Sequence, residues 1–510
     1  VNNLFAQIPN IQWQNSSGGY GNDEGYSIFL TYDGGYVIAG TSGSVNVTNA
    51  HGYEDFWLSK TDSSGNLIWN KCFGGSISEF CYSVSPTLDS GFIMAGSTDS
   101  DDGDVTGLHG GNSDFWLVKL SKLRFLQWQK CLGGAQWDEA HSIIQTIDSG
   151  YLVVGMTMSH DGDVHGFHGN DDVWVVKLNQ TGSIQWSKAL GGFSSEEGNS
   201  CLQLANGHYI IAGTASSNDG DVTGVHNFSS DVWVLELDTA GNIVWQKCYG
   251  GSGIDNAFKI ILANDGGYYI AASTSSSDGD VSGNYGGQDQ WLIKTDSLGT
   301  MQWEKCFGSI NTERAYSVCL AHDGGVVIVG HSGFDDGMVV GNHGGSVPYF
   351  PDFWVVKADS IGNFIWGKCI GGTGGAIAYN IKQTPAGGYV IAGTSSSNDG
   401  DVTGNNGGND VWVVKLAPLG LSVPEMQNTI MDLNISQNND QLNLRFFSKH
   451  NERAQMFLYD ISGKQVFEKS FSVMEGINYN QINCAGFAKG MYVVKIDGER
   501  NTERGKVFIE

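Results

Sequence analysis

The chain has 510 residues, 54 of them acidic and 27 basic, and its formal net charge at pH 7 is −27. A negative field of this size repels phosphate backbones and anionic lipid, which excludes nucleic acid and membrane surfaces as partners. No apolar run reaches the roughly eighteen residues of a membrane-spanning helix, so no membrane insertion is expected. The 73 glycines and 11% aromatic residues indicate short strands joined by tight turns.

Composition divides the chain into two differently built regions. Residues 1–420 carry a net charge of −26 and the remainder only −1, and Pro418 and Pro424 mark the transition. The N-terminus begins without Met, and its short apolar stretch resembles the end of a secretory signal peptide. The predicted boundaries are 1–7 for a signal-peptide remnant, 8–417 for a repeat domain, 418–427 for a linker and 428–510 for a C-terminal domain.

Tryptophan positions reveal the repeat. Fourteen of the fifteen tryptophans fall into two series with spacings of 56 to 63 residues, and Trp137 alone belongs to neither. A fixed period of this size is typical of a solenoid, an array or a propeller. The two series are Trp57, Trp116, Trp174, Trp233, Trp291, Trp354 and Trp412, and Trp13, Trp69, Trp128, Trp186, Trp245, Trp303 and Trp366.

Each repeat contains four strand-like runs that are rich in Val, Ile, Tyr, Phe and Trp and bounded by turn residues. Val411–Val414 is apolar at every position, so both faces of that strand are expected to be buried. Four-stranded sheets covered on both faces are typical of propeller blades. In the first repeat the runs are Tyr26–Tyr32, Tyr36–Thr41, Phe56–Thr61 and Asn66–Phe73.

The two ends of the repeat region are complementary. Ile11–Asn15 is a lone copy of the fourth strand before the first full repeat, and the seventh repeat stops after its third strand at Leu416. We therefore predict an all-β, seven-bladed β-propeller in which the N-terminal strand completes the last blade and removes free sheet edges. A small C-terminal β-sandwich is predicted to follow it.

Three segments of the C-terminal domain carry a resemblance. Phe457–Lys464 reads as a strand running into a turn, and Gly490–Ile496 and Lys506–Glu510 read as further strands. Together they resemble the type A C-terminal sorting domain of the type IX secretion system of Bacteroidetes. The resemblance implies a β-sandwich that the outer-membrane translocon recognises, and a protein that is secreted or displayed at the outer cell surface. An ordinary accessory sandwich is the alternative. The repeats resemble glycine- and tryptophan-rich propellers of uncharacterised function found upstream of such domains.

An aspartate precedes the third-strand Trp by two residues in every repeat. A carboxylate at a strand entrance accepts hydrogen bonds from backbone amides of the preceding loop, and its presence in all repeats favours a structural clamp over a ligand site. These residues are Asp55, Asp114, Asp172, Asp231, Asp289, Asp352 and Asp410.

A second acidic pattern, Asp-Gly-Asp, lies in the loop between the second and third strands of five repeats. Calcium prefers six to eight oxygen ligands, which carboxylates around a flexible glycine loop help to supply. We therefore predict Ca²⁺ binding here, and no organic cofactor. The alternative is a solvated turn whose Asp side chains bond their own backbone. The candidate ligands are Asp99, Asp102, Asp104, Asp161, Asp163, Asp219, Asp221, Asp278, Asp280, Asp399 and Asp401.

A third set of carboxylates lies where the chain enters the first strand of a repeat. If first strands line the axis, these residues form a partial acidic ring at one mouth of the tunnel, which would attract a cation or a basic group. The alternative is that each carboxylate holds the adjacent glycine turn. The residues are Asp23, Glu79, Asp138, Glu196, Asp255 and Glu313, with Ala376 in the seventh repeat.

Catalytic motifs are scarce. Gly-x-Ser-x-Gly, His-Glu-x-x-His and P-loop patterns are absent from the sequence. His141, near Asp138 and Glu139, is weak evidence for a site because it lies on a predicted inner strand. Val339–Pro351 is the one notable insertion. The single histidines of the long loops are predicted to be surface residues rather than ligands. These histidines are His109, His168, His226 and His343.

Two classes of function remain open. The near-identical repeats favour a secreted or cell-surface binding or adhesion propeller that engages a glycan or a surface protein through its loop-rich face. The alternative is an extracellular polysaccharide-active lyase or hydrolase. The missing catalytic motifs favour the binding protein, so we do not expect an enzyme.

Overall fold

The computed structural model describes residues 7–227, 229–344, 350–418, 430–438, 441–448, 451–460, 464–498 and 502–509. The chain divides into two compact units, Val1–Leu419 and Gly420–Glu510. The predicted signal-peptide remnant except Gln7, and the predicted linker beyond Pro418, lie outside the described residues. Within these ranges no helix is long and apolar enough to cross a membrane.

The first unit is built from seven four-stranded antiparallel sheets, numbered here in chain order. Strand β1 (Ile11–Ser17) precedes them. Sheet 1 contains β2 Asp23–Leu30, β3 Tyr36–Ser42, β4 Asp55–Thr61 and β5 Leu67–Phe73. Sheet 2 contains β6 Glu79–Pro86, β7 Phe92–Thr98, β8 Asp114–Leu120 and β9 Leu126–Leu132. Sheet 3 contains β10 Asp138–Gln145, β11 Tyr151–Thr157, β12 Asp172–Leu178 and β13 Ile184–Leu190.

Sheets 4 to 7 repeat this order. Sheets 4 and 5 contain β14 Glu196–Gln203, β15 Tyr209–Ala215, β16 Asp231–Leu237 and β17 Ile243–Tyr249; and β18 Asp255–Leu262, β19 Tyr268–Thr274, β20 Asp289–Thr295 and β21 Met301–Phe307. Sheets 6 and 7 contain β22 Glu313–Leu320, β23 Val326–Ser332, β24 Asp352–Ala358 and β25 Phe364–Ile370; and β26 Ala376–Gln383, β27 Tyr389–Ser395 and β28 Asp410–Leu416. The fourth strand of sheet 7 is β1.

The third strands are buried along their whole length in six of the seven sheets. In β8, β12, β16, β20, β24 and β28 all seven residues are buried, as expected for a strand covered on both faces. The third-strand tryptophans fill the space between neighbouring sheets, where Phe115 of sheet 2 lies 4.4 Å from Trp174 of sheet 3, centroid to centroid. Burial of such an aromatic side chain contributes roughly 2–3 kcal/mol.

Sheets 1 and 7 contain the two ends of the repeat region and are in contact with each other. Strand β1 pairs antiparallel with β28, from Ile11 opposite Leu416 to Ser17 opposite Val411. One hydrophobic cluster combines Trp57 of sheet 1 with residues of β27 and β28. The prediction of an all-β chain with repeated four-stranded sheets is confirmed, and the arrangement is propeller-like.

The second unit contains two sheets around one core. The three-stranded sheet has the order β29-β30-β33 and the four-stranded sheet the order β32-β31-β34-β35. Leu444 from one sheet and Met456 and Val494 from the other share a buried cluster, as in a β-sandwich. The strands are β29 Ile430–Asn438, β30 Gln441–Ser448, β31 Glu452–Asp460, β32 Gln465–Val473, β33 Gly476–Asn483, β34 Gly490–Asp497 and β35 Thr502–Ile509.

Candidate functional site

Each sheet is joined to the next by a short glycine turn between a fourth strand and the following first strand; we call this turn and the loops around it a junction. Between sheets 2 and 3 the turn is Gly133-Gly134, and the Asp138 carboxylate of β10 accepts the Gly134 N–H at 2.8 Å. The same carboxylate accepts hydroxyl hydrogen bonds from Thr157 and, at 2.8 Å, from Ser159. Asp138 is fully buried, so its bonds are made within the junction.

The other carboxylates of the predicted tunnel-mouth ring occupy equivalent positions. Asp23, Glu79, Glu196, Asp255 and Glu313 are all fully buried, and each accepts a turn N–H at 2.7 to 2.9 Å. They therefore lie inside the junctions and bind the chain's own donors. This geometry favours the turn-holding alternative, and it offers no open ring of carboxylates to a cation.

The aspartates that precede the third-strand Trp lie on the other side of each glycine turn. The Asp114 carboxylate accepts a hydrogen bond from the backbone N–H of His109 at 3.0 Å. The ring Nδ1 of His109 lies 2.7 Å from the same carboxylate oxygen. Tyr285 and Asn406 replace His in sheets 5 and 7, and their backbone N–H groups make the same bond to Asp289 and Asp410, each at 2.8 Å. The corresponding N–H bonds to Asp55, Asp172, Asp231 and Asp352 span 2.7 to 2.9 Å.

The loop histidines connect neighbouring sheets. His109 of sheet 2 contacts Asp114 through Nδ1, while its Nε2 lies 3.5 Å from the Asp163 carboxylate of sheet 3. Burial opposes the charged form, but the hydrogen bond with Asp114 and the nearby carboxylates raise the pKa of His109. The surface position predicted for these histidines agrees with their exposure, and in addition each one links two neighbouring sheets. The same bridges are His51–Asp104, His168–Asp221, His226–Asp280 and His343–Asp401, at 3.7 to 4.0 Å.

The Asp-Gly-Asp loops dock on the glycine turns. Asp161 accepts the N–H of Ala135 at 2.8 Å, and the N–H of Asp163 donates to the Gly133 carbonyl at 2.9 Å. Gly162 has a φ of 63°, and a Cβ there would collide with the same carbonyl oxygen, so only glycine fits. The first aspartates Asp102, Asp219, Asp278 and Asp399 accept turn N–H groups at 2.7 to 2.9 Å in the same way.

Metal ligation would need these carboxylates to converge. Among the described residues, no group of three or more His, Cys, Asp or Glu side chains is placed to hold a metal ion. Asp99 lies just before its loop, and burial raises its pKa. Calcium binding by the loops therefore stays a prediction.

Burial perturbs the junction acids. Desolvation raises the pKa of Asp138, Asp172 and Asp231 to about 6, and that of Asp289 to about 7. In each of the seven aspartates that precede a third-strand Trp by two residues, the Oδ1 atom is buried and has no hydrogen-bond partner. An unpaired buried carboxylate oxygen favours the protonated acid, which agrees with the raised pKa values.

A central cavity of about 310 Å³ is lined by the first strands of all seven sheets. Each first strand has a register shift around its fourth residue, a β-bulge that turns this side chain toward the cavity. Five neighbouring pairs of these fourth residues have ring centroids 4.6 to 5.6 Å apart, and together they form a row of rings from His141 through Tyr82 and Tyr26 to Phe258. The seven residues are Tyr26, Tyr82, His141, Asn199, Phe258, Tyr316 and Tyr379.

One side of the cavity departs from the repeat. His141 of sheet 3 lies 3.7 Å from Glu139 and 3.4 Å from Glu197 of sheet 4, and its Nδ1 lies 3.2 Å from the Gly198 carbonyl oxygen. Burial opposes the charged imidazole, but Glu139 and Glu197 raise the pKa of His141 to about 9. Trp137, the tryptophan outside both periodic series, donates from its indole N–H to Glu139 at 3.2 Å and is 45% exposed.

Sequence reasoning undervalued this cluster. The sequence itself places acidic residues beside His141 in the stretch Asp138–His141. Glu197, however, comes from the next sheet, 56 residues after His141, and only the fold brings Glu197 close to His141. The signal that marks the site is irregularity: Trp137 breaks both tryptophan series, and it stands beside the one histidine on a first strand.

Comparison with protein families identifies the C-terminal part of the chain. Residues 438–510 match the model of the secretion system C-terminal sorting domain. The match supports the type IX interpretation and indicates export, with secretion or attachment at the cell surface. The translocation machinery is thus a partner of this domain. A comparison with curated proteins finds no match.

Solved structures give distant likenesses to the whole chain. A puromycin hydrolase shares 9% sequence identity with this chain, and the alignment covers 84% of this chain and 58% of the hydrolase chain, with a TM-score of 0.43. A GH32 beta-fructofuranosidase of Bombyx mori is 10% identical, covering 100% and 90%, with a TM-score of 0.29. A GH43_12 retrieved from a capybara gut metagenome is 10% identical, covering 100% and 93%, with a TM-score of 0.28. At these values the likenesses carry no conclusion about activity.

Proposed function

We propose that the chain is an exported carbohydrate-binding protein built on a closed, seven-bladed β-propeller. The junction between sheets 7 and 1 supports closure because it repeats the geometry of the others. Gly19 donates its N–H to Asp23 at 2.7 Å, and Tyr20 donates to the Asn46 side chain at 2.9 Å, where other junctions use the first loop aspartate. Trp13 packs on Gly65 of sheet 1 just as Trp128 packs on Gly182.

We assign the repeated carboxylates to stability. Their hydrogen bonds hold each glycine turn between two sheets, and the loop histidines add a bridge at most junctions. A buried hydrogen bond to a charged group contributes roughly 1.5–3 kcal/mol, and the bonds recur around the whole ring. These residues are therefore not expected to contact a ligand.

The observation that carries the binding proposal is the irregular cluster at the central cavity. Glu139, His141 and Glu197 line the cavity as hydrogen-bonding groups, and Trp137, which is not a lining residue but donates to Glu139, offers an exposed aromatic side chain. A sugar ring has an apolar face that stacks on an indole and hydroxyls that donate to carboxylates. The cavity volume is at the lower end of the range for small-ligand sites, which suits one or two sugar units.

The test is calorimetric titration of the purified chain with a panel of oligosaccharides, repeated with Trp137→Ala. Loss of the stacking surface is expected to weaken binding about tenfold, or ~1.4 kcal/mol. Phe125→Ala is the matched control, because Phe125 is 69% exposed in the turn between β8 and β9, at the other ends of the strands. Absence of binding across the panel, or equal loss in both variants, would refute the proposal.

Catalysis at the same cluster is the second candidate, because His141 lies between two carboxylates that face a cavity. Paired acid and base groups of this kind support proton transfer to a glycosidic bond. The same titration mixtures are analysed for new reducing ends and unsaturated products. Product that disappears in Glu197→Gln would establish an enzyme, whereas saturable binding without product supports the binding protein.

A further inference from the structure

A second cavity, of about 280 Å³, lies between sheets 2 and 3. Its walls include the turn residues Leu88 and Asp89 before β7, Trp128 of β9, and the turn residues Gln180 and Thr181 before β13. These turns join first strands to second strands and third strands to fourth strands, so they lie at the other ends of the strands from the junctions. The cavity shares no lining residue with the central cavity and is separate from it.

The two charged side chains that line this cavity neutralise each other. Lys119 Nζ lies 2.8 Å from the Asp89 carboxylate. It also donates to the Leu120 carbonyl oxygen at 2.9 Å and to Gln127 Oε1 at 2.8 Å, so all three of its hydrogens are used. Asp89 additionally accepts the Gly91 N–H at 3.0 Å. A charged ligand would have to displace these bonds, so the site does not select for charge.

The polar groups that remain free are neutral. Among the described residues, Gln127 Nε2, the Gln180 side-chain amide and the Trp128 indole N–H have no hydrogen-bond partner. The Trp128 ring lies 5.6 Å from that of Tyr151, centroid to centroid, and Leu88 is 77% exposed, so apolar surface lies beside the amides. Amides both donate to and accept from hydroxyls, and apolar side chains cover the C–H face of a sugar ring. The free groups therefore suit a neutral ligand that carries several hydroxyls.

The cavity lies where the repeat is irregular. At the next boundary, between sheets 3 and 4, the Trp186 indole N–H donates to the Thr239 carbonyl oxygen at 3.1 Å, whereas Trp128 makes no such bond. A Cβ on Gly182 would lie 3.1 Å from the nearest Trp128 carbon, against 2.6 to 2.9 Å at the four other boundaries with a turn glycine, so this indole stands farther from its turn. Gln180 also replaces the smaller hydroxyl residues of the corresponding turns, which are Ser63, Thr239, Ser297 and Ser360.

We propose that this cavity is a second carbohydrate site, which binds one neutral sugar unit through the amides of Gln127 and Gln180 and the indole N–H of Trp128. Its volume is close to the roughly 300 Å³ at which small-ligand pockets begin, which suits a single ring. The site depends on none of the residues assigned to the central cavity. With one site at each end of the strands, a single chain would link two glycan segments.

The experiment is a saturation-transfer NMR titration of the full chain with glucose, galactose and xylose, and with sodium glucuronate and glucosamine as charged counterparts. We expect saturable binding of at least one neutral sugar, retained in Trp137→Ala and weakened about tenfold in Gln127→Ala/Gln180→Ala, since two neutral hydrogen bonds are lost. The charged sugars are expected to bind no more tightly than the neutral ones.

Gln185→Ala/Thr239→Ala is the matched control, because it changes the corresponding positions at the boundary between sheets 3 and 4. Gln185 accepts a hydrogen bond from Lys177 at 3.1 Å, as Gln127 does from Lys119, so the control repeats the loss of that contact outside the cavity. It is expected to bind as wild type does. A melting curve for each variant establishes that folded proteins are compared.

The outcomes separate this site from the central one. Binding that Trp137→Ala abolishes completely, or that both double variants weaken equally, would overturn the second site and leave the central site standing. Binding that Gln127→Ala/Gln180→Ala abolishes and Trp137→Ala leaves unchanged would support the second site and refute the central one. Tighter binding of glucuronate or glucosamine in the Trp137→Ala background would overturn the assignment to a neutral sugar.

Discussion

Asp289 provides the sharpest test of how the junctions are stabilised. It begins β20 and is fully buried, with Oδ2 accepting the Tyr285 N–H at 2.8 Å and Oδ1 left without a hydrogen-bond partner. Burial and the nearby Glu313 carboxylate raise its pKa to about 7, against 3.8 for the free side chain. The folded protein therefore binds more protons than the unfolded chain between these two values.

The sign of the pH dependence follows from proton linkage. Because the folded-state pKa is raised, stability falls as pH rises from about 4 to about 7, and the loss persists above that window. Each pKa unit corresponds to ~1.4 kcal/mol, so Asp289 accounts for at most about 4 kcal/mol, and we expect on the order of 2 because Glu313 titrates with it. Asp289→Asn imitates the protonated acid. We expect its stability advantage over wild type to be larger at pH 8 than at pH 5, because most of the titration window lies above pH 5.

The assay is urea unfolding followed by tryptophan fluorescence at both pH values, in high salt to screen the overall net charge. Asp296→Asn in the turn after β20 is the control. The Thr300 backbone amide and other local hydrogen bonds lower the pKa of Asp296, so its titration window lies below pH 4 and the variant should not change between pH 5 and pH 8. An Asp289→Asn variant that is equally destabilised at both pH values would refute the reasoning.

Three further outcomes are expected. Deletion of residues 1–16 should lower the free energy of unfolding by several kcal/mol, because it removes nearly all of β1 from β28 and exposes a long sheet edge; an unchanged melting temperature would contradict ring closure. Removal of residues 428–510 should leave the propeller folded but prevent export, which fractionation of the producing cells would reveal. Calcium at millimolar concentration should raise the melting temperature relative to chelator if the Asp-Gly-Asp loops bind it, and Asp102→Asn/Asp104→Asn, which changes one of the five loops, should reduce the shift; equal melting temperatures would leave the loops as hydrogen-bonded turns.

The repeated strands could be predicted from the sequence because their signals are local. Val411–Val414 reads as apolar at every position, and β28 is buried at every position, since neighbouring sheets cover both of its faces. Cys72 and Cys306, which occupy the same position in their repeats, are both buried and free. Local patterns of this kind fix which residues face the interior and need no knowledge of distant partners.

The junction bridges and the cavity depend on contacts that no local pattern contains. His109 meets Asp163, 54 residues later, only because the next sheet places its loop on the shared glycine turn. His141 faces the cavity because the β-bulge between Ala140 and Ser142 turns it there, and simple strand alternation does not anticipate a bulge. Sequence reasoning therefore identified the repeated acids, whereas only the fold shows that Glu139, His141 and Glu197 line one cavity.

The departures from symmetry fit the proposed binding of a ligand. A cavity with seven identical walls would offer an asymmetric sugar seven equivalent orientations, and none would be favoured by its contacts. The first strands instead present Glu139 and His141 on sheet 3, Glu197 on sheet 4 and Lys259 on sheet 5. Because Glu139, His141 and Glu197 occupy only sheets 3 and 4, a ligand that bonds to them is held in one orientation. Repeated contacts at the junctions hold neighbouring sheets together, and the irregular residues at the cavity are therefore where a single bound orientation of the proposed ligand can arise.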